Sequence, residues 1–376
     1  MNRLHAALTG WGHYAPERVV TNDDLAQIID TSDEWIRTRS GIEQRHFVRE
    51  DQATSHLCVE AGRRALARAG VEAADVDLVL VATSSPDYLT PPVSSQVQHA
   101  LGATRAGAMT LLVGCTGFVY GLVTAEQFIR AGACETILLI GAEVISKNLD
   151  FEDRTTCVLF GDGAGAVVLQ ATEADCGLRA FELGSDGAGA EAVIAYSPGT
   201  AEPVSQKVVD ERRHYLRMNG REVFKFATTT MGASLARVMQ KAGLSPEDIA
   251  LFVPHQANAR IIEYAAETLR LPPEKVVMNV ARYGNTSAAS IPIALSEALS
   301  EGRARVGDTL ALVGFGAGLT WATALFTLGP AAALERARPA GGTRTERNGT
   351  EGEGTRDNGT PDSVVGPQGE VQGLIA

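Results

Sequence analysis

Cys115 stands in a setting that makes a thiol reactive. It follows the apolar run at 109–113 and precedes a helical pattern at 117–130, so the order is strand, tight turn, helix. Gly114 and Gly117 flank it, and glycine lets the backbone bend sharply and a ligand come close. A helix start carries partial positive charge, which favours thiolate, so a lowered thiol pKa is expected here. The same position suits a buried, inert cysteine, the commoner fate of the residue. Cys58 lies on an amphipathic helical pattern, and Cys134, Cys157 and Cys176 lack the strand–turn–helix setting.

Two polar residues in the second half could serve that thiol. His255 ends the apolar run 251–253, within Pro254-His-Gln-Ala-Asn258. Ligands gather at the C-terminal ends of strands in open α/β sheets, although a structural histidine fits equally well. Asn285 sits in Tyr283-Gly-Asn-Thr-Ser287 just before a helical pattern at 288–299, where an ordinary turn or cap asparagine is the simpler reading. Cysteine, histidine and asparagine together also match a Cys-His-Asn hydrolase. The paired-cysteine signature of papain-like enzymes is absent, however. The glycine-rich stretches 161–165 and 314–318 miss the G-x-G-x-x-G fingerprint and lack a Walker lysine, which excludes a nucleotide cofactor. Such backbone can present N–H groups to an oxyanion or let two halves pack closely.

The elements that must hold these residues repeat once. The stretch 69–81 recurs at 242–254, and Thr136-Ile-Leu-Leu-Ile-Gly141 recurs at Thr309-Leu-Ala-Leu-Val-Gly314. Both offsets are 173 residues, 242 − 69 and 309 − 136. Short apolar runs alternating with helical patterns predict βαβ units, hence two α/β halves over 1–173 and 174–330. Residues 331–376 hold no aromatic side chain and are rich in Gly, Thr, Glu, Arg and Pro, so they are expected to form a disordered tail. The chain has 376 residues, 45% of them hydrophobic, and a net charge of −12. That acidity argues against general nucleic-acid or anionic-membrane binding. No apolar run approaches the roughly 20 residues of a membrane span. Five cysteines without C-x-x-C spacing fit a reducing cytoplasm better than a disulfide framework or a zinc site.

Taken together, these motifs resemble the β-ketoacyl-acyl carrier protein synthases III, the initiating condensing enzymes of fatty acid synthesis within the thiolase superfamily. The resemblance covers about residues 3 to 328. It rests on Cys115-Thr-Gly-Phe118, Phe160-Gly-Asp-Gly-Ala-Gly165, Pro254-His-Gln-Ala-Asn258, Gly284-Asn-Thr-Ser-Ala288, Gly316-Ala-Gly-Leu-Thr-Trp321 and Ser32-Asp-Glu-Trp-Ile-Arg-Thr-Arg39. It implies the duplicated five-layer α-β-α-β-α fold, a homodimer, and acyl-CoA and an acyl carrier protein as partners, with no metal or redox cofactor. It also implies Cys115, His255 and Asn285 as the triad, with an oxyanion hole from the backbone of Cys115 and Ala317. Trp35, Arg39, Arg154 and Asn258 match CoA contacts, with Trp35 and Arg154 sandwiching the adenine. Lys225 and Arg260 match carrier-protein docking residues.

The chain departs from the commoner family pattern at several places. Gly114 and Thr116 replace frequent alanines, and their small size predicts tolerance. Ala317 replaces a frequent glycine, which keeps the N–H but needs a backbone that accepts a Cβ. Glu263 and Glu267, with only Arg270 as a base, put strong carrier docking in question. Thr90 falls where many relatives place a phenylalanine that limits the primer pocket across the dimer, which predicts room for primers longer than acetyl. Two further readings compete with condensation. One is an acyltransferase of secondary metabolism working through the same acyl-cysteine; the other is a non-catalytic CoA binder, against which the intact Cys115, His255 and Asn285 argue.

Overall fold

The structure, a computed structural model, describes residues 4–336. Nine strands build its two principal sheets: β1 (His5–Tyr14), β2 (Leu78–Ala82), β3 (Gly107–Leu111), β4 (Thr136–Glu143), β5 (Gly163–Thr172), β6 (Gly177–Ser185), β7 (Ile249–Pro254), β8 (Thr309–Gly316) and β9 (Thr320–Thr327). The first sheet runs β1-β5-β4-β2-β3 and the second β7-β8-β9-β6. Seven helices matter for the site: α1 (Asp33–Ser40), α2 (Thr54–Ala69), α3 (Val93–Leu101), α4 (Gly117–Arg130), α5 (Gly220–Ala242), α6 (Ala259–Thr268) and α7 (Ser290–Ser300). Helices α2 and α3 cover the outer face of the first sheet, and α5 and α6 that of the second. Between the sheets lie α4 and α7, whose side chains share one core with both. That is five layers, α-β-α-β-α.

The 173-residue offset governs strand pairing itself. In the first sheet Leu78 pairs with Ile137 in a parallel ladder; in the second Leu251 pairs with Leu310. Both partners have moved by 173 residues. The central strands β2 and β4 are buried along their whole length. That accounts for their unbroken apolar sequences, since a strand covered on both faces does not alternate. Helices α4 and α7 are apolar on most sides for the same reason, being packed between two sheets.

The chain stays ordered past the expected start of the tail. Ala331, Ala333 and Leu334 are buried in the central core, and a short helix covers Ala332–Arg336. Composition concealed this, because three small or apolar side chains reaching an existing core bury area without a strand or helix pattern of their own. The rest of the expected tail lies outside the described residues.

Candidate active site

A cavity of about 1230 Å³ is lined by Cys115, His255 and Asn285 together. Each reaches it from a different element. Cys115 lies in the short turn between β3 and α4, where Gly114 holds φ at +57°. Thr116, expected to be merely tolerated, is buried; its hydroxyl donates to Val113 O at 2.7 Å and meets Thr320 Oγ1 at 3.0 Å. His255 follows β7, and its N–H extends the pairing to Val313 O at 2.8 Å. Asn285 is fastened through its backbone to the glycine-rich turn after residue 158. Its N–H donates to Leu159 O at 2.8 Å and its carbonyl accepts from Gly161 N at 3.0 Å. Within that turn Asp162 accepts the N–H groups of Val48 and Ser146. The first glycine-rich stretch thus positions Asn285.

The second glycine-rich stretch reaches the sulfur. A Cβ on Gly316 would fall 2.8 Å from Cys115 Cβ and 2.9 Å from its backbone N, so only glycine allows this approach. The backbone N–H groups of Cys115 and Ala317 are both directed at the sulfur, and the Ser287 hydroxyl lies beside it. Ala317 is not among the residues with positive φ, so its backbone accepts a Cβ.

The pKa of the thiol departs from the sequence expectation. Burial pushes Cys115 up to about 11, with the Ser287 hydrogen bond opposing and the Glu143 charge adding to the rise. A helix start favours thiolate, but here the protein packed around the half-buried sulfur outweighs it and desolvation wins. His255 moves the other way. Burial lowers it to about 3, so the imidazole is neutral at physiological pH. Its Nδ1 lies 2.6 Å from Ser290 Oγ, which also receives the Gln256 N–H at 3.4 Å. Ser290 thus engages Nδ1, and Nε2 is the ring nitrogen left to serve the cavity. Phe315 packs edge-on against the ring at 5.2 Å. Asn285 Oδ1 accepts the Ser287 N–H at 2.8 Å, so the amide nitrogen is the end left to serve the cavity.

The other expected site residues divide. Trp35, Arg39, Asn258 and Arg260 line the cavity. Asn258 caps α6 by accepting from Arg260 N and donates to Arg39 O at 2.9 Å, which ties α6 to the end of α1. Arg154 is held by Asp30, 2.9 Å to the carboxylate, and its guanidinium stands 5.3 Å from the Trp35 ring centre. An adenine between them needs about 7 Å, twice a contact of ~3.5 Å, so Arg154 must swing outward to admit one. Lys225 is exposed on α5 outside the cavity lining. Thr90 is exposed and does not line this chain's own cavity. Sequence reasoning missed Glu143, Ser290, Phe315 and Arg221. Glu143 had a signal: it is an acid closing the otherwise apolar run of β4. Arg221 offers none beyond its charge, because only the fold carries it to the cavity mouth.

Family models for 3-oxoacyl-acyl carrier protein synthase III match residues 109–187 and, for its C-terminal part, 239–328. The β-ketoacyl-acyl carrier protein synthase III of Roseiflexus sp. is 49% identical over 321 residues, covering 85% of this chain and 98% of that protein. The chain belongs to the 3-oxoacyl-acyl carrier protein synthase III family. A further synthase III, from Halalkalibacterium halodurans, is 50% identical over 316 residues, covering 84% of this chain and 96% of that protein. The crystal structure of the Thermus thermophilus synthase III superposes with a TM-score of 0.80 at 48% identity, covering 86% of this chain and 99% of that one. The fold is therefore that of the family, and the chain is an acyl-transferring condensing enzyme. Among the described residues no helix is long and apolar enough to cross a membrane, and no group of three or more His, Cys, Asp or Glu could hold a metal ion.

Proposed function

We propose that Cys115 takes the acyl group from acyl-CoA, and that His255 and Asn285 stabilise the enolate formed when malonyl-acyl carrier protein loses carbon dioxide. The overall reaction is the decarboxylative condensation that initiates fatty acid biosynthesis, giving 3-oxoacyl-acyl carrier protein, CoA and carbon dioxide. The observation that carries these assignments is the state of the two nitrogen donors. A neutral imidazole whose Nδ1 is engaged by Ser290, beside an amide whose oxygen is anchored, leaves Nε2 and the amide nitrogen to meet a developing negative oxygen in the cavity. The Cys115 and Ala317 N–H groups would hold the oxyanion when the enolate carbon attacks the acyl-cysteine. Half 1–173 then supplies the nucleophile and half 174–330 the enolate donors. The deciding experiment follows acyl-CoA by mass spectrometry and malonyl-carrier protein by carbon dioxide release. Acyl mass on Cys115 together with carbon dioxide release supports condensation. Acyl transfer to an alcohol or amine without that release would support the secondary-metabolism reading instead.

Trp35, Arg39, Arg154 and Asn258 form the CoA entrance in this reading, and Lys225 and Arg260 dock the acidic carrier protein. Arg221, at the same mouth, offsets part of the acidity of Glu263 and Glu267. A homodimer is supported by the unpaired edge of β3 and by its exposed surroundings, Tyr88, Leu89 and Leu112, the last two 76% and 71% exposed. Across that edge Thr90 would gate the partner's primer pocket, leaving room beyond acetyl. A steep fall in kcat/KM from acetyl-CoA to longer acyl-CoAs would refute this. Five free cysteines agree with a cytoplasmic location.

A further inference from the structure

Making an acyl-cysteine requires the Cys115 proton to leave, and the obvious acceptor is a poor one. His255, lowered to about 3 by burial, holds a proton weakly. Among the described residues, Glu143 is the one carboxylate that lines the cavity. It closes β4, is fully buried, and collects hydrogen bonds from both sides of the site. Ser84 N reaches it at 3.1 Å and 3.2 Å, Thr83 Oγ1 at 3.3 Å, and the Ser85 hydroxyl donates to the same carboxylate. From the opposite half of the chain, Ser287 Oγ donates to Glu143 Oε1 at 3.1 Å. The same Ser287 hydroxyl meets the Cys115 sulfur. The Ser287 hydroxyl therefore stands between the sulfur and the carboxylate as a neighbour of both. Ser287 is held there at a backbone φ of +48°, a conformation unusual for serine.

We propose that Ser287 relays the Cys115 proton to Glu143 during self-acylation, making Glu143 the proton acceptor that activates the nucleophile. The inference rests on Cys115 being that nucleophile. As the sulfur attacks the thioester carbon, its proton passes to Ser287 Oγ and the serine proton passes to Glu143 Oε1. The new S–C bond forms, the bond from carbon to CoA sulfur breaks, and the departing CoA thiolate takes the proton back from Glu143 by the same path. No oxidant, metal or external base is consumed. The titratable groups that face Glu143 are Cys115 and, from α2, Cys58. Burial raises the Glu143 carboxyl above its ordinary range, towards the pH at which a base works best.

The test is rapid-quench mass spectrometry of full-length enzyme mixed with acyl-CoA across pH, with carbon dioxide release measured separately, in a single turnover of pre-acylated enzyme with malonyl-carrier protein. Glu143→Gln and Ser287→Ala are each expected to slow acylation about 100-fold, the scale of general-base catalysis, with Glu143→Asp recovering to within about tenfold of the parent. The pH profile of acylation should lose its rising limb in Glu143→Gln, and the double variant should be no slower than the slower single one. Decarboxylation should fall much less, by under about threefold. Either single variant acylating within about threefold of the parent would overturn the relay, as would acylation and decarboxylation falling together. Should Glu143→Gln fail to fold, Ser287→Ala decides alone. Acyl mass appearing on Cys115→Ala protein would instead show that the nucleophile assignment is wrong.

Discussion

At the scale of single residues, the proposed enolate donor His255 is an imidazole that burial keeps neutral. Because the pKa of His255 is depressed, protonation competes only near pH 3, so condensation should show no falling limb between pH 8 and 5 that depends on His255. A pH–rate profile of acyl-enzyme with malonyl-carrier protein checks this; a limb near 6.5, abolished in His255→Ala, would mean a wet, chargeable ring. Cys115→Ala should take up no acyl mass. His255→Ala and Asn285→Ala should keep most self-acylation but lose condensation by about 10²- to 10³-fold, the cost of removing an oxyanion donor. Ser290→Ala removes the partner of Nδ1 and leaves the ring tautomer unspecified, so a loss of about tenfold or less in condensation, with acylation retained, is expected.

At the scale of elements, the site depends on how closely the end of β8 approaches the turn before α4. Gly316→Ala would place a methyl group within 2.9 Å of Cys115 N, so turn or strand must shift. The expected outcome is a folded protein whose acylation rate falls at least about tenfold, since misplacement of a reacting group by about 1 Å costs up to 10²-fold. The edge strand β3 leads to the same turn. Leu112→Glu, exposed one residue past the end of that strand, should shift the protein towards monomer in sedimentation experiments, because a charge beside an open edge blocks strand addition.

For the whole molecule, the two-sheet core extends to the end of the described chain. A protein ending at 330 loses the buried Ala331, Ala333 and Leu334, whereas one ending at 339 keeps them. The shorter form should be less stable by about 2–4 kcal/mol, most of it from the leucine. Thermal unfolding of the two truncations checks this, and equal midpoints would place that segment outside the cooperative core. Much of this architecture was legible without coordinates. Buried strands announce themselves as unbroken apolar runs, and a repeated β-α-β unit leaves the same spacing twice, which is why 173 recurs in the parallel pairing. The turns that hold the thiol, the imidazole and the carboxamide were legible in nearby sequence, whereas their grouping as a triad came only from the family resemblance. The ionisation of those groups was not legible. The direction of the Cys115 shift depends on how much water two halves of the chain exclude when they close over it, and no local pattern records that. The Ser290 contact to the imidazole, the Glu143–Ser287 contact and the presence of Arg221 at the cavity each depend on residues more than thirty positions apart meeting in space, which only the folded chain brings about.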